Sequence, residues 1–158
     1  MKVYRISKSL YADDLSGMGA QLYGGRWNPK GLPMVYTAGS VSLALLEFLA
    51  HNLHMISHLD LTLTTIEIPS QNQTQIIDPT SLSSQWQDPF SGPLQTQRIG
   101  ADFLKNKKNY TLQVPSAIVP QEHNILLNPQ HSAHPKIKIV NKITPFSIDS
   151  RLFTDLPT

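Results

Sequence analysis

The sequence predicts one α+β domain over residues 1–158, with a mixed or antiparallel sheet at its core and flanking helices. Segments of alternating apolar and polar residues recur along the chain, and helical patterns stand between some of them. No internal repeat and no linker divides the 158 residues. A chain of this length can bury a sizeable apolar core without disulfides or metal ions.

Composition excludes several classes of protein. The chain has no cysteine, which excludes disulfides, thiolate nucleophiles and thiolate metal centres and favours a reducing, cytoplasmic location. No stretch is apolar for long enough to span a membrane, and the alternating start of the chain is unlike a signal peptide. The formal net charge of +2 is too small to indicate nucleic-acid binding by itself.

The first strand and the loop after it follow from local patterns. The alternation in "KVYRIS" predicts a strand over residues 2–7 that carries Arg5 on one face. Five glycines and a proline then predict a loop over residues 13–31, whose backbone can approach a ligand closely.

A second strand, a helix and a third strand come next. The segment "PMVYTA" predicts a strand over residues 33–38, and Ser40 is a good N-cap for a Leu- and Ala-rich helix over residues 41–51. Alternation in "LTLTTIEI" predicts a further strand over residues 61–68.

The C-terminal half begins with a long polar segment. Residues 70–93 are rich in Ser, Gln, Asn and Pro, which predicts that they are mostly loop, of a length that often serves as a lid or a partner surface. Pro93 suits the first turn of a helix that continues to Leu104, and the lysines of residues 104–109 indicate its solvated end. Further strands are predicted for "YTLQVPSAIVP", "KIKIVN" and "PFSID".

Glu47 is the most informative candidate for a functional site. Its neighbours three and four residues away are mainly Leu and Ala, so the carboxylate projects from a largely apolar stripe of its helix. Such a group either reaches water or an arginine at the edge of the stripe, or lies partly desolvated in a cleft. The helix pattern leaves both interpretations open.

Three other residues are ambiguous in the same way. Arg26 follows two glycines and is either a surface residue in a turn or a fork-shaped ligand for phosphate or carboxylate. Tyr36, in the middle of a strand, is either a core aromatic or part of a binding surface. Ser116 lies on a predicted strand face, where small polar groups are often only hydrogen-bonded packing residues.

The sequence gives little support to a metal site and lacks the motifs of several common enzyme classes. His51, His54 and His58 would share one face of a longer helix, but no Asp or Glu completes a ligand set, so we expect no metal. The sequence has no GxSxG, no GxxxxGK[ST] and no HExxH. These absences disfavour a serine hydrolase, a P-loop NTPase and a zincin.

Two segments resemble the RES-domain family, which is named for its Arg, Glu and Ser. They are "GGRWNPKGLPMVYTAGSVSLALLEFLAHN" and, some seventy residues later, "VPSAIVPQEHNILLNPQH". The resemblance runs over nearly the whole chain, and its motifs are specific because they recur in the same order. The positions that match functional residues of the family are Arg5, Arg26, Tyr36, Glu47 and Ser116.

The resemblance implies the toxin half of a bacterial toxin–antitoxin pair. Its partner would be an Xre-type helix-turn-helix antitoxin, through which alone the toxin would meet DNA. The family is similar in fold to ADP-ribosyltransferases and acts on NAD+ as a substrate, with no prosthetic group. The reaction would be hydrolysis or phosphorolysis of the nicotinamide–ribose bond with inorganic phosphate as a co-substrate, or transfer of ADP-ribose to a protein acceptor.

The family also implies roles for individual residues. Glu47 would stabilise positive charge on the ribose, and Ser116 would hold either the ribose or Glu47. The predicted catalytic residues are Arg26, Glu47 and Ser116, and the predicted NAD+-binding residues are Arg5, Gly25, Arg26 and Tyr36. A different class stays open, namely a non-enzymatic module that binds nucleic acid or protein through residues 70–93 and 104–109.

Overall fold

A computed structural model of the protein describes residues 1–52, 60–69, 74–90 and 93–152. Its helices are α1 (Met18–Tyr23), α2 (Val41–Asn52) and α3 (Pro93–Asn106). Its strands are β1 (Lys2–Lys8), β2 (Val35–Ala38), β3 (Leu61–Glu67), β4 (Thr74–Ile76), β5 (Thr111–Pro115), β6 (His123–Leu127) and β7 (Lys138–Ile143).

Within the described residues the strands form one seven-stranded sheet in the order β4-β5-β6-β2-β1-β3-β7. The β4–β5 pair is parallel, and the other neighbouring strands are antiparallel. The predicted α+β class, with a mixed sheet and flanking helices, is therefore confirmed. The extent of the domain, residues 1–158, stays a prediction.

The sheet is weakly joined between β1 and β2. Among the described residues these two strands pair only at Tyr4 and Ala38. In contrast, β1 pairs with β3 along its whole length, from Lys2 opposite Glu67 to Lys8 opposite Leu61. Because adjacent strands stay together through their ladder of hydrogen bonds, β1 and β2 separate beyond the single pair and leave room between them.

Two helices cover the same face of the sheet on either side of this gap. From α2, Leu43 and Ala44 pack on Ile6, Ala38 and Leu63. Burial of these apolar side chains stabilises the folded chain and fixes the orientation of α2. The prediction of this helix is confirmed, and so is its cap, because Ser40 Oγ accepts a hydrogen bond from the Leu43 N–H at 3.1 Å.

On the other side of the gap, α3 packs on β5 and β6. Phe103 and Leu104 are buried against Leu112, Val114 and Leu126. The lysines that follow Leu104 are exposed at the end of this helix, where positive charge interacts favourably with the helix dipole.

The backbone of α3 approaches the loop before β2 very closely. A Cβ atom at Gly100 would overlap the carbonyl oxygen of Trp27, so only glycine permits this contact. The Trp27 ring, itself buried, lies 6.3 Å from that of Trp86. The helix thus packs directly against the segment that contains Arg26.

Both long predicted loops contain regular structure. Residues 13–31 include α1, which begins after Gly17 in the left-handed conformation, with φ of 74°. Residues 70–93 include β4, and Leu82 and Trp86 are buried in the core beneath α3. The expectation of a loop was therefore wrong for Met18–Tyr23, whereas the described residues 74–90 are mostly loop, as expected.

The C-terminal strands also differ from the prediction. The strand expected in "YTLQVPSAIVP" stops at Pro115, because the chain turns at Ser116, whose Oγ accepts a hydrogen bond from the Val119 N–H at 3.0 Å. The chain then returns as β6, which we did not predict. The strand expected in "KIKIVN" begins two residues later than predicted, at Lys138.

The strand expected in "PFSID" is absent, since residues 145–149 contain no strand. Pro145 has no N–H to donate to a neighbouring strand, which explains this error. Over the ranges that the structure describes, no helix is both long and apolar enough to cross a membrane.

We predict that Gly100→Ala destabilises the protein by about 2–3 kcal/mol, because the added methyl group forces α3 away from the Trp27 carbonyl. Urea unfolding would measure the loss. Gly19→Ala is the matched control, since a Cβ at Gly19 in α1 meets no atom within 4 Å. Equal midpoints for the two variants would show that the contact at Gly100 is not tight.

Candidate active site

A cleft of about 590 Å³ opens where β1 and β2 separate. Its walls come from both strands, from α1 and α2, and from the ends of β5 and β6. The volume is within the range of about 300–1,000 Å³ that is usual for small-molecule sites. The predicted site residues that line this cleft are Arg5, Gly25, Arg26, Tyr36 and Glu47.

Glu47 projects from α2 into the cleft. Its Oε1 accepts two hydrogen bonds, from Ser116 Oγ at 2.8 Å and from Asn124 Nδ2 at 2.5 Å. Its other oxygen, Oε2, has no hydrogen-bond partner among the described residues. The carboxylate is thus fixed by one oxygen and presents the other to the cleft.

Ser116 lies behind Glu47 and does not line the cleft. Its side chain is fully buried, and its Oγ accepts hydrogen bonds from the N–H groups of Ile118 and Val119 at 3.1 and 3.0 Å. Since those two N–H groups donate to Oγ, its own hydrogen is directed to Glu47. Of the two contacts expected for Ser116, its position favours the one to Glu47 over one to a ribose.

Arg26 is anchored by the segment before α3. Its guanidinium donates to the carbonyl oxygen of Trp86 at 2.6 Å and to that of Gln87 at 3.0 Å. Burial lowers the pKa of Arg26 from its ordinary value, and the nearby negative charge of Glu47 partly offsets this effect. Among the described residues Arg26 and Glu47 form no salt bridge, so each charge is available to a ligand.

The main chain beside Arg26 is held by α3. Thr96 Oγ1 donates to the carbonyl oxygen of Arg26 at 2.5 Å, and Gln97 Nε2 donates to that of Gly25 at 2.9 Å. These bonds attach the glycine-rich turn to a rigid helix, which favours a constant geometry in the cleft.

Tyr36 joins the sheet to the same turn. Its hydroxyl donates to Asn28 Oδ1 at 2.7 Å and accepts from the Trp27 N–H at 3.0 Å. A Cβ atom at Gly25 would come within 2.5 Å of this hydroxyl, which explains the need for glycine there. Burial raises the pKa of Tyr36 above its ordinary value, so the phenol stays neutral.

Arg5 enters the cleft from β1. Its guanidinium donates to the carbonyl oxygens of Tyr11 and Asp14, at 3.3 and 2.7 Å. Burial lowers the pKa of Arg5, and the charge of Asp14 partly offsets this. Arg5 also lines a smaller adjoining cavity of about 130 Å³.

Two asparagines of the site were missed by the sequence analysis. Asn28 is fully buried, and its Nδ2 lies within hydrogen-bond distance of three carbonyl oxygens of the surrounding loop, those of Ala20, Pro29 and Leu32. Asn124 is the second donor to Glu47 and lines the cleft. Each lies in one of the two segments that resemble the family, and this position was the sequence feature that could have indicated them.

The histidine spacing considered for a metal gives no site in the described part of the chain. His51 uses its Nδ1 to donate to the Glu47 carbonyl oxygen at 2.8 Å. His54 and His58 lie outside the described residues. Among the residues that are described, no group of three or more His, Asp or Glu could hold a metal ion.

The sequence matches a known protein family and several of its members. The RES domain family model covers residues 2–149. The chain is 44% identical to "Toxin Res" of Photorhabdus laumondii, covering 96% of this chain and 97% of the relative. It is 34% identical to "Prs ADP-ribosylating toxin" of a Sphingobium species, covering 92% and 91% of the two chains.

A solved structure shares the fold. The toxin–antitoxin complex MbcT–MbcA of M. tuberculosis contains a chain that matches with a TM-score of 0.74, over 96% of this chain and 86% of that one, at 18% identity. This match supports the α+β fold described above. The chain belongs to the RES domain family, and the prediction of that family is confirmed.

We predict that Tyr36→Phe lowers the free energy of unfolding by about 1–3 kcal/mol, because it leaves the buried Asn28 Oδ1 and the Trp27 N–H without their partner. Chemical denaturation would measure the loss. Tyr4→Phe is the control, since Tyr4 lines the same cleft and its hydroxyl makes no hydrogen bond to a described residue. A loss of similar size in both variants would contradict the assignment.

Proposed function

We propose that this protein is the toxin of a toxin–antitoxin pair and that it consumes NAD+ by cleaving the nicotinamide–ribose bond. The observation that carries the proposal is the way in which the two carboxylate oxygens of Glu47 are placed. One of its oxygens is held by Ser116 and Asn124, and the other is presented to a cleft that also contains Arg26 and Tyr36. The toxin names of the relatives support the same class.

One carboxylate is sufficient for this reaction. Nicotinamide is a cationic pyridinium in NAD+ and leaves as a neutral base, so no general acid is needed, whereas most glycosidases require two carboxyl groups. The ribose becomes positively charged as the bond breaks. Glu47, half-buried and fixed in position, would stabilise that charge more strongly than a carboxylate in water.

The remaining cleft residues fit the other parts of a dinucleotide. Arg26 and Arg5 are cations whose free N–H groups can bind a pyrophosphate, and Gly25 allows the main chain to come close. The Tyr36 ring, fixed through its hydroxyl, would lie against the cationic nicotinamide, because a cation is attracted to an aromatic face.

The acceptor of the ADP-ribosyl group distinguishes the two candidate reactions. Water or inorganic phosphate would give ADP-ribose or its 1-phosphate. A protein acceptor is the second candidate, and the name of the Sphingobium relative, an ADP-ribosylating toxin, favours it. We propose free NAD+ consumption first, since it requires only the cleft described above.

We also propose a cognate antitoxin of the Xre helix-turn-helix type as the partner, with any DNA contact made through that antitoxin. The support is the related fold of MbcT, which was solved with its antitoxin MbcA. Salt-dependent nucleic-acid binding by the purified chain alone, without any NAD+ consumption, would instead favour the binding-module hypothesis.

We predict that the purified protein releases nicotinamide from NAD+ without any protein target. Incubation with and without inorganic phosphate, followed by chromatography, would identify the second product. ADP-ribose 1-phosphate indicates phosphorolysis, and ADP-ribose formed without phosphate indicates hydrolysis. If NAD+ is stable until a cell extract is added and label from NAD+ then appears on a protein, the transferase candidate replaces the first.

We predict that Glu47→Gln lowers NAD+ consumption by about 100-fold or more, since the neutral amide cannot stabilise the cationic ribose. The amide nearly preserves the shape of the side chain, so the folded structure should be retained. Glu67→Gln, at an exposed site in β3, is the matched control and should consume NAD+ like the wild type. Unchanged turnover by the Glu47 variant would reject the proposed role.

A further inference from the structure

The orientation of the Asn124 amide is determined by its neighbour. Its side chain contacts Glu47 Oε1 at 2.5 Å, and an ionised carboxylate can only accept hydrogen bonds. The amide nitrogen therefore faces Glu47, and the amide oxygen, Oδ1, points elsewhere. Asn124 lines the cleft, and its Oδ1 has no hydrogen-bond partner among the described residues.

Glu47 and Asn124 consequently each offer one acceptor at the cleft. The same hydrogen bond that fixes both groups leaves Glu47 Oε2 and Asn124 Oδ1 without partners in the described part of the chain. Ser116 holds Glu47 from the buried side, so the pair cannot turn away from the cleft without breaking that bond. Half-buried acceptors in such a fixed pair favour a ligand with two neighbouring donors.

We propose that Asn124 contacts the substrate and determines its specificity, with Oδ1 accepting a hydrogen bond from one hydroxyl of the nicotinamide ribose. Glu47 Oε2 accepts from the adjacent hydroxyl. This inference rests on the proposed NAD+ function, in which Glu47 lies beside that ribose. The vicinal diol of ribose carries two O–H donors on adjacent carbons and on the same face of the ring, which matches the two acceptors.

The chemical character of Asn124 suits this position. An amide donates to Glu47 and accepts from the substrate at the same time, which neither Ala nor Lys can do. Because it is neutral, it holds Glu47 without cancelling the negative charge that would stabilise the ribose cation. A substrate that lacks one hydroxyl would leave one acceptor unpaired, and the transition state would lose that interaction.

The test compares kcat/KM for NAD+ with that for NAD+ analogues that lack the 2′- or the 3′-hydroxyl of the nicotinamide ribose. After correction for the intrinsic reactivity of each analogue, we expect the wild type to show a kcat/KM about tenfold or more below that for NAD+. This loss is the penalty for the missing hydroxyl. In Asn124→Ala, the penalty for one of the two missing hydroxyls should disappear, and the penalty for the other should remain. Comparing one analogue across variants cancels its intrinsic reactivity.

Ser116→Ala is the matched control. It also removes a donor from Glu47 Oε1, but it should keep the penalties for both missing hydroxyls, because Asn124 still holds Glu47 Oε1 and Ser116 does not reach the cleft. A purely structural role for Asn124 would lower all rates together and leave both penalties in place. Asn124→Ser replaces Asn124→Ala in the same comparison if circular dichroism shows that the alanine variant does not fold.

Two results would overturn the inference while NAD+ is still consumed. One is a wild type that shows no penalty for either missing hydroxyl, and the other is an Asn124 variant that keeps both penalties. A wild type that consumes no NAD+ would overturn the proposed function and this inference with it. The failures of the two proposals are therefore distinguishable.

Discussion

The contact between α3 and the loop before β2 is the interaction on which the site depends. Glycine at position 100 lets the helix backbone reach the Trp27 carbonyl, and the preceding turn of α3 binds the carbonyl oxygens of Gly25 and Arg26. From the sheet side, the Tyr36 hydroxyl bonds to the same loop. A glycine-rich segment, flexible by composition, is thereby held between a helix and a strand.

The site itself exists because the sheet is incompletely closed. The separation of β1 from β2 leaves a cleft that side chains from strands, helices and loop ends can enter together. Arg26 and Glu47 do not neutralise each other there. Backbone carbonyls hold Arg26, and neutral hydroxyl and amide donors hold Glu47. A buried ion pair would have cost desolvation and left neither charge available to a ligand.

Much of this could be predicted from local sequence. The α+β class, the first strand and α2 with its Ser40 cap follow from alternation and capping, and the resemblance to the RES family pointed to Arg26 and Glu47, which line the cleft. The rest depends on distant contacts. A polar loop becomes part of the core because Trp86 packs under α3, and Asn124 matters because α2 brings Glu47 to it from 77 residues away. Periodicity carries no information about such partners.

The most direct test of the proposed site is a crystal structure of the Glu47→Gln variant with NAD+ bound. We expect the nicotinamide ribose beside residue 47 in the cleft between β1 and β2, the nicotinamide ring against Tyr36 and the pyrophosphate on the Arg26 side. A dinucleotide bound with its adenosine end at residue 47, or bound outside the cleft, would contradict this expectation.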